Sequence, residues 1–181
     1  MKVASSLSAI QSVMLRNPLE FKGSISRVSI VKLFKKMRFK VRIRLEEEVK
    51  TSVPATKPGE KDVIKISYRP LANSELSHDT EVTESLMQDK VFPDLIQFSH
   101  KVSYRDLSKQ FLSFYLLDAN SPQASPLDEA EVVSVYRIDL ELLAIGPVHH
   151  SIDLKRQVTG AFSKSSQFSA KLVVDVKFVQ T

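Results

Sequence analysis

Cysteine is absent from all 181 residues, which excludes a disulfide framework, thiolate catalysis and a cysteine zinc site. Nothing in the chain then requires an oxidising compartment. Glycine occurs four times, at 23, 59, 146 and 160, and never in a phosphate-cradling loop. No apolar run approaches the roughly 18 residues of a membrane-spanning helix, so a membrane, if one is involved, is expected to be met from its surface. Catalytic patterns are missing too. No serine sits in a nucleophile elbow, and no histidine stands at helical spacing with a glutamate as in zinc peptidases. Histidines 78, 100, 149 and 150 read as surface or rim groups, and the adjacent pair faces opposite ways on a strand, so it cannot chelate one ion. Asp139 and Glu141, two apart on an expected strand, are expected on one face and read as an acidic strip. An enzyme is not expected, and no cofactor is implied.

Acidic residues are missing from two further places: none precedes Glu20, and none interrupts the seven cations from Lys32 to Arg44. The formal charge of +5 is therefore local, because residues 1–50 hold 12 lysines and arginines against 4 acids, and the remainder 14 against 17. A local basic patch suits an anionic membrane surface, nucleic acid or an acidic protein.

What fills that patch is an alternation. From Lys36 to Leu45, cations and apolar residues take turns, which is the period of a half-buried β-strand. Met37, Phe39, Val41, Ile43 and Leu45 are expected on the core side. Lys36, Arg38, Lys40, Arg42 and Arg44 are expected on the other side, with Lys32 and Lys35 just upstream. Like charges at every second position of one face repel. The row is therefore neutralised by acids, with Glu46–Glu48, Glu81 and Glu84 as candidates, or it binds something anionic. Nucleic acid is disfavoured, because single-strand binders interleave exposed aromatics with cations and the one aromatic here, Phe39, points to the core.

The rest of the chain reads as β. Expected strands are 25–34, 36–45 (closed by the three acids), 64–68, 79–85, 91–102, 111–117, 132–143, 151–154 and 168–179. The clearest loops are 50–62 and 120–126. Residues 111–117 are apolar almost throughout, as in a strand covered on both faces. Residues 1–22 stand apart from the 23–181 domain. There Val3, Leu7, Ile10 and Met14 fall near helical spacing in a serine-rich, acid-poor segment, which suits a short docking helix or a mitochondrial presequence.

The order of these pieces resembles the C2 domain family in its divergent, calcium-independent form. The basic strands at 25–45, Val91–Phe98, Phe111–Asp118, Val135–Leu140, Leu143–Pro147, Ile152–Leu154 and the final strand carry the resemblance, which covers residues 24–179. It implies an all-β, antiparallel, eight-stranded C2-like β-sandwich, with the short helix preceding it. It also implies a non-enzymatic module, cytoplasmic and peripheral to membrane or cytoskeleton. Such a module docks through Lys32, Lys35, Lys36, Arg38, Lys40, Arg42 and Arg44 on anionic phospholipid or an acidic protein. The alternative is a structural subunit of a cytoskeletal, ciliary or mitochondrial assembly. Calcium needs six to eight oxygen ligands, and only Asp118 matches a family ligand position, with Asn120, Asp128 and Glu129 as thin company. No metal is expected.

Overall fold

The alternation around residue 40 produces the strand its period dictates. In the computed structural model, which describes residues 17–31, 38–72, 74, 76–84, 90–92, 95–119, 132–154 and 170–181, β2 (Arg38–Val53) buries Phe39, Val41, Ile43 and Leu45 at 2% exposure or less. The neighbouring strand in the chain, β1 (Pro18–Val31), heads the opposite sheet. The remaining strands are β3 (Val63–Pro70), β4 (Ser77–Asp79), β5 (Thr83–Glu84), β6 (Lys90–Phe92), β7 (Ile96–Ser103), β8 (Gln110–Asp118), β9 (Val132–Asp139), β10 (Val148–Leu154) and β11 (Ala170–Gln180). Helix α1 (Tyr104–Leu107) links β7 to β8, and α2 (Leu140–Ile145) links β9 to β10.

Eleven strand segments, not eight, are present among the described residues. They nevertheless fill four lanes in each of two antiparallel sheets. In the first sheet the order is β10-β11-β1, with β6 and β7 in succession along the far edge of β1. In the second it is β9-β8-β2, with β3, β4 and β5 in succession along the far edge of β2. The extra count comes from interrupted edge strands, whose breaks no hydrophobic pattern announces. Between the sheets lies one core, in which Ile25, Ile43, Leu112, Leu140, Leu143 and Val174 are fully enclosed.

Four boundaries differ from expectation for identifiable reasons. β1 starts at Pro18, within the segment 1–22, because Phe21 is buried and stacks on Phe178 at 4.5 Å between centroids. β2 continues past Leu45 through the three acids, because Glu46 is neutralised inside the fold and Glu46–Val53 pairs with β3. That pairing also shortens the expected loop 50–62 to the stretch between Val53 and Val63. The strand expected over 132–143 ends at Asp139, where Leu140 and Leu143, three apart, both turn to the core on α2. The expected N-terminal helix, with Val3, Leu7, Ile10 and Met14, lies outside the described residues, as do Lys32, Lys35 and Lys36.

Gly23 sits where a side chain has no room. The Phe98 ring crosses it, so a Cβ there would lie 2.1 Å from Cζ, and Phe98 packs on Phe178 at 6.2 Å. No helix among the described residues is long and apolar enough to cross a membrane.

Candidate functional site

The outer face of the second sheet carries the cations of β2, and the register decides what stands beside them. β4 pairs Asp79 directly with Arg42. Arg42 Nε donates to Asp79 Oδ1 at 2.7 Å, Arg42 Nη2 to Oδ2 at 2.9 Å, and Lys40 Nζ to Oδ2 at 3.1 Å. The fork on Asp79 is the bidentate geometry in which guanidinium and carboxylate match best. Those hydrogen bonds from Arg42, with Lys40 adding to them, hold the Asp79 carboxyl below its ordinary range despite partial burial. Thr80 fixes the segment, its Oγ1 accepting from the Val41 N–H at 2.9 Å.

Further along the strand, the same face holds a buried network. Glu46 is fully enclosed and Arg44 is 9% exposed. Glu46 accepts from Arg44 Nε at 2.9 Å, from the Tyr115 hydroxyl at 2.5 Å and from Arg137 Nε at 3.2 Å. Arg137 Nη2 also donates to the Tyr115 oxygen at 3.0 Å, and its guanidinium lies 3.8 Å over the Tyr68 ring. Burial pushes the Glu46 carboxyl up, but the Ser113 and Tyr115 hydroxyls and the charges of Arg44 and Arg137 outweigh it and hold the carboxyl low. Tyr115 and the guanidiniums carry that effect, since the Ser113 hydroxyl makes no hydrogen bond of standard geometry. Burial and the Glu46 charge push the Tyr115 phenol the other way, up.

The cation row is thus compensated in part, by Glu46 and Asp79. Glu46 is one of the expected acids, whereas Asp79 was not foreseen. Arg38 is exposed and stands opposite Glu84 in register. Arg44, expected on the solvent side, lies on that face but is enclosed. Each carboxylate is shared by two cations: Asp79 by Lys40 and Arg42, Glu46 by Arg44 and Arg137. A shallow hollow of about 400 Å³ opens between the clusters, lined by Arg42, Arg44, Ser77 and Asp79.

The remaining candidates lie elsewhere. Asp118 ends β8, and among the described residues no three acidic or histidine side chains gather as a metal cluster; Asn120, Asp128 and Glu129 lie outside those residues. His149 and His150 face opposite ways, the first on Asp175 and the second on the Tyr136 hydroxyl at 2.7 Å. His100, expected at the surface, is 8% exposed and bonded to Gln110 at 2.7 Å. Asp139 has its carboxyl raised by burial and by the nearby charges of Glu141 and Glu48, with no base positioned against it among the described residues.

One feature of the opposite face escaped the sequence. Lys22 and Lys177 come from the two ends of the chain. The β1–β11 register sets them around a cleft of about 650 Å³ with Ser24, Gln97 and Ser99. Neither lysine has a local charge pattern to flag it.

No protein-family model matches the chain, and no curated protein matches it in sequence. Among solved structures, the C2 domain A of a plant extended synaptotagmin 1 is similar at 16% identity, with 92% of this chain and 98% of that one covered and a TM-score of 0.50. A structure of extended synaptotagmin 2 comprising its SMP domain and two C2 domains is similar at 10% identity and TM-score 0.48, over 97% of this chain and 31% of that one. A CC2D1B structure is similar at 12% identity and TM-score 0.44, over 88% of this chain and 54% of that one. The first of these establishes a C2-like fold.

Proposed function

We propose that this C2-like domain is a non-enzymatic, calcium-independent module that docks on anionic phospholipid through the outer face of β2. One observation carries the reading: Asp79 and Glu46 are each shared by two cations, so the stretch of the face that holds Lys40, Arg42, Arg44 and Arg137 stays net positive after this pairing. Arg38 extends the face beyond Asp79, and Lys32, Lys35 and Lys36 adjoin it in sequence. Exposed cations near an anionic bilayer contribute about 1 kcal/mol each, so a handful gives useful, salt-sensitive affinity. The module would act at the cytoplasmic surface of a membrane, and calcium has no evident ligand set among the described residues.

Co-sedimentation with phosphatidylcholine vesicles, with and without phosphoinositide, tests this. Wild-type protein is expected in the pellet with phosphoinositide vesicles, equally in calcium and in chelator, and less as salt rises. Reversing Arg38, Lys40 and Arg42 to Glu should abolish pelleting while the domain stays folded. Wild type that ignores phosphoinositide, or a triple variant that still binds, would redirect the reading to an acidic protein partner or to a purely structural row.

A further inference from the structure

β2 and β3 outrun the sheet to which they belong. β8 pairs with β2 only as far as Glu47, whereas β3 follows β2 to Val53. The segments Val49–Val53 and Val63–Ser67 therefore form a two-stranded ribbon with no third strand among the described residues. In water such a ribbon is marginal, and its free edge is normally guarded with charge. This one instead exposes large aliphatic side chains: Val53 at 44%, Val63 at 64%, Ile64 at 66% and Ile66 at 51%.

Pairing accounts for half of them. Val53 and Val63 stand directly opposite each other, and a cross-strand pair of branched side chains steadies a hairpin. Ile64 and Ile66 have no such partners, since the residues opposite them are Ser52 and Lys50. By the period of two they share the outer face of the second sheet with Lys40 and Arg42. Lys50, with its side chain 67% exposed, lies across from Ile66 on that face. Residues 50–66 hold four lysines against two acids, Glu60 and Asp62. Asp62 is occupied in accepting the Ala55 N–H at 3.0 Å.

We infer that the β2–β3 ribbon lies in the interface of an anionic bilayer with Ile64 and Ile66 turned into it. Aliphatic side chains beside exposed lysines match the boundary between acyl chains and phosphates, where the stem of a lysine follows the apolar surface and its ammonium stays wet. This deepens the proposed docking and rests on it: the cations of β2 draw the domain to the membrane, and the ribbon anchors it.

The chain contains no tryptophan, so Ile64→Trp gives a single reporter on the full-length protein. On vesicles of phosphatidylcholine with phosphatidylserine or phosphoinositide, its emission should shift to the blue. Leu142→Trp, at an exposed position on α2, should not shift. Ile64→Asp with Ile66→Asp should leave the melting temperature nearly unchanged and weaken vesicle affinity about tenfold, the scale of two partly buried aliphatic side chains. If wild type pellets with the vesicles but Ile64→Trp does not shift and the double Asp variant binds normally, the ribbon inference is overturned and the cationic docking stands. A wild type that never pellets overturns the docking itself, and this inference with it.

Discussion

Glu46 is the residue on which the outer face of the second sheet turns. A fully enclosed carboxylate is tolerated only while its partners are in place. Glu46→Gln strands Arg44 and Arg137 against a neutral amide, and a cost of about 3 kcal/mol is expected, as for other broken buried pairs; urea denaturation measures it. The same residue shapes the acid limb of stability. Glu46 and Asp79 have carboxyls lowered by folding, so they contribute stability above the ordinary carboxylate range. That stability is lost as pH falls through their folded values. His100 acts earlier on acidification: burial lowers its folded value, so the unfolded chain takes up the proton first and stability begins to fall as pH drops past about 6.5. Melting temperature measured from pH 8 to pH 3 should decline in those two stages, and His100→Gln should flatten the first. Gly23 supplies a test of packing. Ala there must displace the Phe98 ring, and a loss of about 1–3 kcal/mol follows from overpacking; an unchanged melting temperature would show that the ring yields freely.

The strands show which parts of the fold could be read ahead and which could not. The core side of β2 was legible because Phe39, Val41, Ile43 and Leu45 stand at period two and admit no other face. So was the doubly covered β8, whose Leu112–Leu117 are all buried. The length of β2 was not legible, because three successive acids normally mark a solvated end. Glu46 violates that rule through Tyr115 and Arg137, which are distant in sequence. A signal was present in hindsight: Tyr115 places a hydroxyl inside the apolar run of β8, and a buried hydroxyl implies a polar partner. Asp79 was equally hidden, since only the β2–β4 register sets it against Arg42. Deleting residues 1–16 is expected to leave the sandwich folded, because β1 and the Phe21–Phe178 stack begin after them. Circular dichroism and thermal melting of the truncated protein check this, and loss of cooperative unfolding would place the segment in the core.

At the scale of the whole molecule, a C2-like sandwich presents two sheet faces, and they are furnished differently. The first sheet shows scattered polar groups around Lys22 and Lys177. The second concentrates arginines over two carboxylates and then runs out into an apolar ribbon. The class of fold followed from strand order and from the lack of helix, while the charge balance of either face did not, because it depends on which acids the topology delivers. The central claim is that the β2 face stays positive after its internal pairing and that this excess binds anionic lipid. Asp79 is the acid that holds Lys40 and Arg42 back. Removing its charge in Asp79→Asn should tighten binding to phosphoinositide vesicles about fivefold, from roughly one unit of added charge near the bilayer. The gain should shrink as salt rises. Affinity that is unchanged or weaker in Asp79→Asn, with the melting temperature preserved, would contradict the claim.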